Sequence, residues 1–386
     1  MTVLWRRFWS GAHRDTWLLF LGLLALYTLT ANRDLKAVIN DVLYVAQPAW
    51  SLAVRGTANL EGLFTLSGIN AWTVQVGEHL RSDRFPGAIV LTIPFYGVAR
   101  WSVPSFFLWP SALAAATVAA SAMAVMHRVL LCVVRPRAAL GGVLALALGT
   151  ATWSVAADAM WTEGPTMLGL AIAMWALARG RTGGVIAGYA LAAVSRPHAS
   201  VFAIVTAAWS ATQRRWRPAV VATAGGLAGL LAVVVWNRVN AGQWTLLPGS
   251  YTGRPEAALN AAPGGQATGL EWANDVICTF VSPLRGLFVY SPFVLLVLPG
   301  LARAWRAAPS WVRSTALGGV VYLVVQLAGN TWIGGPVFGY RLILPSLVAW
   351  WPLLTMAYER WTARRVWARW AFVALAAASI WWFTQG

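Results

Sequence analysis

The chain has 386 residues, of which 59% are hydrophobic and only 11% are charged. A soluble globular domain usually carries about 25% charged residues, so this composition excludes an ordinary soluble protein and indicates a polytopic membrane protein. The formal net charge is +17. Because no basic and aromatic nucleic-acid motif accompanies this charge, we expect no nucleic acid partner.

Eleven apolar segments predict transmembrane helices, each of which needs roughly 17–25 apolar residues. In chain order they are 16–32, 106–131, 139–157, 164–179, 183–195, 198–213, 218–236, 286–302, 312–329, 337–357 and 368–384. Segment 183–195 is short, which indicates a tilted or broken helix. The predicted fold is one all-α polytopic membrane domain, residues 1–386, with about eleven transmembrane helices.

Two features complete this layout. The first apolar run lacks a small-residue cleavage pattern after it, so we expect a signal anchor that is retained. Segment 86–100 is also apolar, but Pro86, Pro94 and Pro104 interrupt it. We therefore expect a re-entrant or interfacial stretch there.

The distribution of charge predicts the orientation. With the N-terminus in the cytoplasm, the inner side holds 18 of the 29 basic residues and only two of the twelve acids, Asp15 and Glu359. Short inner loops rich in Arg are what the positive-inside rule requires. Since Arg outnumbers Lys by 28 to one and Ala and Gly are abundant, we expect a bacterial plasma-membrane protein.

The remaining acids indicate which side of the membrane carries the functional site. Most of them lie in two long predicted outer loops, 33–105 and 237–285, and Asp158 and Glu163 lie in a short one. The inner loops are tight and basic. The concentration of carboxylates and loop length on the outer side predicts an extracytoplasmic functional site.

The first outer loop predicts an interfacial helix. Residues 36–55 place apolar side chains at helical spacing, with Pro48 expected to bend the helix. Asp41 falls in its first turns, close to Tyr44. Residues 71–76 alternate and are consistent with a strand or an irregular segment, and Arg84-Phe85-Pro86-Gly87 then leads into the apolar run.

These features together resemble the GT-C superfamily of membrane glycosyltransferases, in particular its bacterial protein O-mannosyltransferase-like and lipid-glycosylating branches. The resemblance begins with an acid just after the first transmembrane helix, an interfacial helix, and an R/Y-x-P-G pattern. Later segments agree: TEGPTMLGLAIAMWAL (162–177), AGYALAAVSRPHASVF (187–202), SPLRGLFVYSPFVLLVLPGL (282–301) and WIGGPVFGYRLILPSLVAWWPLL (332–354). The chain departs from the family at Asn40, where many members have a second acid, and the sequence ends soon after its last predicted helix, where many members carry a large C-terminal extracytoplasmic domain.

The resemblance implies a polyprenyl-phosphate sugar as donor and a glycan, glycolipid or protein as acceptor. It implies that Asp41 is the general base and that the reaction inverts the anomeric carbon. The sugar is a hexose or a pentose, with mannose and arabinose as candidates. A divalent metal is allowed by the superfamily, but the sequence has no ligand-spaced cluster.

Other candidate site residues follow from charge and position. Arg196, His198, Arg285 and Arg341 are expected to bind the donor phosphate, since a charge at membrane depth marks function by default. Snorkelling to the headgroups is the alternative for Arg196 and Arg341. Arg341 is expected about one turn inside the outer end of its helix.

The acceptor or accessory candidates are Asp158, Glu163, Tyr44 and Arg84. Asp158 and Glu163 bind the acceptor or a metal in one interpretation and are solvated loop acids in the other, with Glu163 favouring the N-terminus of the next helix. Arg84 has the alternative of pairing with Asp83 or Glu78.

Two other classes of function remain open at this stage. A transporter or flippase of a lipid-linked sugar also needs intramembrane Arg and broken helices, although no internal repeat is visible. A non-catalytic subunit of an envelope-assembly complex would need no essential outer acid.

Overall fold

The computed structural model describes residues 11–33, 40–63, 73–100, 105–247, 269–329 and 337–385. The predicted helix start at Lys36, Pro104 and large parts of both long loops lie outside these ranges. Across the described part the chain is almost entirely helical, which confirms the all-α membrane fold.

The helices are numbered in chain order. They are α1 (Gly11–Thr30), α2 (Asn40–Arg55), α3 (Pro86–Ala99), α4 (Trp109–Leu130), α5 (Pro136–Leu148), α6 (Glu163–Arg179), α7 (Thr182–Ser195), α8 (Ser200–Thr212), α9 (Trp216–Ala241), α10 (Gly269–Val281), α11 (Leu287–Tyr290), α12 (Leu301–Ala307), α13 (Ser310–Gly329), α14 (Leu344–Arg360) and α15 (Val366–Phe383). A π-helical segment covers Thr152–Ala157, and 3-10 segments cover Pro197–Ala199, Pro292–Gly300 and Thr362–Arg364.

Four helices of the described part are long and apolar enough to cross a membrane: Trp109–Leu130, Trp216–Ala241, Ser310–Ala328 and Val366–Phe383. Three shorter apolar helices are Pro86–Ala99, Pro136–Leu148 and Thr182–Ser195. Several predicted spans are thus broken or shorter than a straight bilayer crossing requires.

Proline accounts for three differences from the prediction. Segment 86–100 is one continuous helix, α3, because Pro86 stands at its tolerated first position and only Pro94 lies inside. Segment 286–302 is not one helix, because Pro292 begins a 3-10 segment between α11 and α12. The predicted helix 337–357 begins only at Leu344, with Pro345 in its first turn.

One other predicted span also differs. The predicted span 139–157 ends as an α-helix at Leu148, beside Gly149, and continues as the π-helical segment. Residues Thr73–Val76 form a strand, β1, that pairs antiparallel with β2 (His79–Ser82). This hairpin is the sheet of the described residues.

Small residues allow the central helices to approach closely, as in many membrane bundles. A Cβ atom on Gly169 of α6 would stand 2.6 Å from the carbonyl oxygen of Gly188 on α7. A Cβ atom on Gly229 of α9 would meet the carbonyl oxygen of Ala190 at the same distance. These contacts hold α6, α7 and α9 together beneath the loops that carry the acids.

Candidate active site

The β-hairpin places Arg84 beside Asp41. Ser82 at the end of β2 donates its hydroxyl to the carbonyl of Tyr44 in α2 (2.6 Å) and accepts the backbone N–H of Arg84 (3.1 Å). Asn240 at the end of α9 donates to the carbonyl of Ser82 (2.9 Å). Arg84 Nη1 consequently lies 3.1 Å from Asp41 Oδ1.

Gly87 explains the Arg-Phe-Pro-Gly pattern. A Cβ atom on Gly87 would lie 2.7 Å from Cα of Ser195, so only glycine allows the start of α3 to touch the end of α7 at this distance. The contact brings together the two chain segments that carry Arg84 and Arg196. Arg84 and Arg196 then face the same region, which contains Asp41 and Glu163.

Arg341 is held between two carboxylates and an aromatic ring. Its Nη1 lies 2.9 Å from Asp41 Oδ2, and its Nε lies 2.5 Å from Glu163 Oε1. The guanidinium carbon stands 3.9 Å from the centre of the Trp161 ring, a cation–π distance. Because Arg341 precedes α14, the prediction that it lies inside that helix is wrong.

Glu163, the first residue of α6, joins Arg341 to Arg196. Arg196 Nη2 lies 2.8 Å from Glu163 Oε1, and Arg196 Nε donates to the hydroxyl of Thr162 at 2.9 Å. The Glu163 side chain is fully buried. The interpretation of Glu163 as a solvated loop acid is therefore wrong.

A polar extension continues from Arg196 into the bundle. Its Nη1 donates to the hydroxyl of Tyr322 at 2.8 Å and to Gln326 Oε1 at 3.3 Å. His198 Nε2 lies 2.7 Å from the same Gln326 oxygen, and the His198 ring stacks on Tyr322. His198 of the 3-10 segment and the α13 residues Tyr322 and Gln326 thus surround Arg196 together.

We define the ion-pair network as Asp83, Arg84, Asp41, Arg341, Glu163 and Arg196. Its three acids and three arginines alternate, and Arg84 Nε lies 3.2 Å from Asp83 Oδ1. The arginine side chains are 8–10% exposed, which excludes snorkelling of Arg196 and Arg341 into the headgroups. Asp41 is 19% exposed, whereas Asp83 and Glu163 are 0% exposed.

The surroundings of Asp41 favour its ionised form. Burial alone would raise its pKa, but the guanidinium groups of Arg341 and Arg84 outweigh that effect and hold the pKa below the usual range of an aspartate. Asp41 is thus the accessible carboxylate of the network and is negatively charged at neutral pH.

Asp158 is placed differently from the acids of the network. Its Oδ1 accepts the backbone N–H of Asn32 at the end of α1 (2.9 Å). Burial raises the pKa of Asp158 to about 6, in spite of this hydrogen bond, which favours the charged form. An aspartate with this pKa exchanges its proton near neutral pH.

The remaining predicted site residues have distinct positions. Arg285 lies between α10 and α11, and burial together with the charge of Arg341 lowers its pKa, so the two cations are within electrostatic range. Tyr44 is fully buried one turn after Asp41, and its hydroxyl has no hydrogen-bond partner among the described residues. Arg84 pairs with Asp83, as one alternative predicted, and with Asp41 as well.

Sequence reasoning missed several members of the site. Trp161, Tyr322 and Gln326 carry no signal that separates them from interfacial or core residues in a chain with 25 Trp. In the sequence, Asp83 is predicted only as an alternative partner of Arg84. The one available signal was local: Trp161 stands two residues before Glu163, in the same short acidic loop.

A divalent metal does not fit this arrangement. Asp41 and Glu163 each face two guanidinium groups, and no group of three His, Cys, Asp or Glu side chains within the described ranges is placed to hold a metal ion. The donor set is one of acids already neutralised by arginine.

Comparison with known proteins agrees with the fold. No family model and no curated protein sequence matches the chain. The crystal structure of ArnT from Cupriavidus metallidurans bound to undecaprenyl phosphate is similar, with a TM-score of 0.57 and 18% sequence identity over 94% of this chain and 63% of that ArnT chain. This chain therefore corresponds to slightly under two thirds of ArnT.

The helices and the buried ion-pair network define a membrane-embedded protein with an all-helical core. Its fold is similar to that of ArnT, and the prediction of an all-α polytopic membrane fold is confirmed. At this level of identity the similarity concerns the fold.

Proposed function

We propose that the protein is a membrane glycosyltransferase that moves a sugar from a polyprenyl-phosphate donor to an acceptor of the cell envelope. The reaction takes place at the extracytoplasmic face of a bacterial plasma membrane, and the N-terminus lies in the cytoplasm. The observation that carries the proposal is the position of Asp41, a partly exposed carboxylate between Arg84 and Arg341. ArnT, which shares the fold, was crystallised with undecaprenyl phosphate.

The chemistry needs a base and a cationic site next to each other. The acceptor hydroxyl attacks the anomeric carbon, and Asp41 takes the hydroxyl proton as the new C–O bond forms. The bond between the anomeric carbon and the phosphate oxygen breaks, and its electron pair leaves on the polyprenyl phosphate. A direct displacement of this kind inverts the anomeric carbon.

The arginines of the network are suited to the leaving phosphate. Arg341 and Arg84 present guanidinium forks that match phosphate oxygens, and charge stabilisation in a dry site is strong. Arg196 and Arg285 complete the cationic surroundings, and His198 supports Arg196 through the Gln326 oxygen that both contact. Arg196 acts mainly through Glu163, and Arg285 adds a charge near Arg341.

Phosphate binding would also make Asp41 a better base. In the structure both of its oxygens face guanidinium groups, which keep its proton affinity low. A phosphate that draws Arg341 or Arg84 toward itself weakens those ion pairs, and the pKa of Asp41 rises. The carboxylate thus becomes basic when the donor is in place.

The acceptor approaches from the exposed side of Asp41. Tyr44 lies on the same helix, and its buried hydroxyl, which has no partner among the described residues, offers a hydrogen bond to an acceptor bound beside Asp41. Asp158 is a second acceptor contact, since its proton can be exchanged near neutral pH. The acceptor is a glycan, a glycolipid or a protein, and the transferred sugar is mannose or arabinose.

The test uses purified protein in proteoliposomes, with a panel of radiolabelled polyprenyl-phosphate sugars and crude envelope acceptors. Wild type should transfer label, and Asp41→Asn should not, because the amide cannot take a proton. Asp15→Asn is the matched control, since Asp15 is an exposed acid of α1 that pairs only loosely with Arg14 (3.7 Å). Both variants should melt within a few degrees of wild type.

The alternatives give different results in the same vesicles. Transfer by both wild type and Asp41→Asn would remove Asp41 as the base and direct attention to Asp158. Movement of labelled lipid across the bilayer without sugar transfer would favour a transporter or flippase. Absence of both activities with every donor would favour a non-catalytic subunit.

A further inference from the structure

The second notable region lies at the other end of the molecule from the ion-pair network. Helix α14 has 17 residues, from Leu344 beside the network to Arg360 at the far end. At 1.5 Å per residue it spans about 25 Å, close to the roughly 30 Å thickness of a bilayer core. The far end of α14 therefore lies at the opposite membrane face.

An apolar groove opens between α5, α14 and α15 at this end. Its volume is about 860 Å³, and its walls include Gly141, Phe293, Trp351, Phe372 and Ile380. Arg369 and Ile380 both line it from α15, so it runs about 16 Å along that helix. This length equals the depth of one leaflet of the hydrocarbon core, about 15 Å.

A polar cavity adjoins the mouth of the groove. It has a volume of about 460 Å³ and is lined by Arg135, Arg360, Arg364 and Glu359. Arg135 and Ala363 line both cavities, so the two lie side by side. Glu359 is occupied by Arg135, whose Nε lies 2.9 Å away, which leaves the charges of Arg360 and Arg364 for a ligand.

We propose that this region binds one anionic phospholipid from the leaflet on the Arg-rich side. Its phosphate lies in the polar cavity near Arg360 and Arg364, and an acyl chain lies in the apolar groove. The positive charges of Arg360 and Arg364 select an anionic headgroup. The length of the apolar groove, close to the depth of one leaflet, selects an acyl chain that enters from the membrane. Only 17% of the residues of α15 are buried inside the protein, so lipid reaches the groove from that side.

The positive-inside rule alone explains basic loops, but it does not explain a built cavity. Arginines that only set orientation need no continuous apolar groove behind them. Here the polar cavity and the apolar groove share Arg135 and Ala363 in their walls. Their order matches a lipid, whose polar headgroup is followed by an apolar chain.

Two variants remove the two halves of the site separately. Arg135→Gln/Arg360→Gln/Arg364→Gln removes the charge of the polar cavity. Gly141→Phe fills the groove, because a Cβ atom at Gly141 meets nothing within 4 Å and the ring can enter the open space. The matched controls are Arg214→Gln/Arg215→Gln/Arg217→Gln, which removes three arginines from the α8–α9 connection and the first turn of α9, and Gly22→Phe, at another open glycine, on α1.

The experiment is native mass spectrometry of the full chain in mixed micelles that contain equal phosphatidylglycerol and phosphatidylcholine. Wild type and both controls should retain one phosphatidylglycerol molecule. The triple-Arg variant should bind it roughly a hundredfold more weakly, as expected for about 1 kcal/mol per arginine. Gly141→Phe should lose the bound lipid while its melting temperature follows that of Gly22→Phe.

Three results would overturn the proposal. Equal retention of phosphatidylcholine would show that charge is not recognised. Retention of phosphatidylglycerol by Gly141→Phe or by the triple-Arg variant at the level of the controls would place the lipid elsewhere. Displacement of phosphatidylglycerol by equimolar polyprenyl phosphate would assign the groove to that lipid instead.

Discussion

Arg341 and Asp41 are 300 residues apart in the chain, and their side chains meet at 2.9 Å between Nη1 and Oδ2. The pair joins the interfacial helix α2 to the segment just before α14. Because Arg341 also contacts Glu163, one side chain fixes two acids from different parts of the fold.

We expect Arg341→Ala to destabilise the protein by about 3 kcal/mol, the lower end of the range for breaking a buried ion pair, because Asp41 and Glu163 each keep one other arginine. Arg341→Lys should restore part of the stability but little of the sugar transfer, since an ammonium cannot reproduce the guanidinium fork. Denaturant unfolding and transfer rates measure the two effects.

Arg135→Ala is the control for Arg341→Ala. Arg135 also lies 2.9 Å from an acid, Glu359, but its side chain is 78% exposed. Exposed pairs are worth about 0–1 kcal/mol, so the control should unfold nearly as wild type does. Equal losses of unfolding free energy in Arg135→Ala and Arg341→Ala would contradict the prediction that burial makes the ion pairs of Arg341 important.

The stacking of Arg341 on Trp161 gives a separate prediction. Trp161→Leu removes the ring that lies 3.9 Å below the guanidinium, and a desolvated cation–π contact contributes about 2 kcal/mol. We expect Trp161→Leu to reduce stability and slow sugar transfer. Trp161→Phe should lie between Trp161→Leu and wild type in both measurements. Trp370→Leu is the control, because Arg369 lies 6.0 Å from the centre of that ring at an exposed site.

A finding that Trp161→Phe behaves as Trp161→Leu would mean that the volume of the indole matters and that its ring face does not. A finding that both variants transfer sugar as wild type does would mean that the two ion pairs suffice to position Arg341. Thermal unfolding and transfer rates of the same preparations separate these cases.

The contact of Gly87 with Ser195 gives a third prediction. Gly87→Ala places a methyl group 2.7 Å from Cα of Ser195, so α3 must move away from α7. The shift separates Arg84 from Asp41, and we expect a loss of transfer larger than the loss of stability. Gly97→Ala on the same helix is the control, because a Cβ atom there meets nothing within 4 Å. Equal activity of the two variants would contradict the prediction.

The sequence predicted the class of fold because apolar periodicity and the distribution of Arg are strong, local signals. It also indicated α2, Asp41 and the arginines near the outer helix ends. It failed where a helix breaks: Pro292 and Pro345 are visible as residues, but whether they stop a helix or begin one depends on packing.

The pairing within the site was beyond sequence reasoning. Nothing in the spacing of residues 41, 163 and 341 indicates that Arg341 bridges Asp41 and Glu163, since the contact depends on how α2, α6 and α14 pack. Glu163 shows the consequence: in the sequence it resembles an acid at a helix start, and only its burial against Arg196 reveals a structural charge.

The raised pKa of Asp158 predicts a dependence of stability on pH. The pKa is about 6 in the folded protein and 3.8 for an unperturbed aspartate, so the folded state binds the proton more tightly. The contribution of Asp158 to the stability of the folded protein is therefore greatest below pH 4, and it falls as the pH rises to 6. The difference is on the order of 3 kcal/mol.

Asp158→Asn should remove this dependence, because the amide stays neutral and its oxygen still accepts the N–H of Asn32. The variant should match wild type near pH 4 and exceed its stability above pH 6, as measured by denaturant unfolding in detergent between these values. Asp15→Asn, at a 44% exposed acid, controls for the loss of a charge. Parallel curves for wild type and Asp158→Asn would show that Asp158 is solvated and ionised as an ordinary surface acid is.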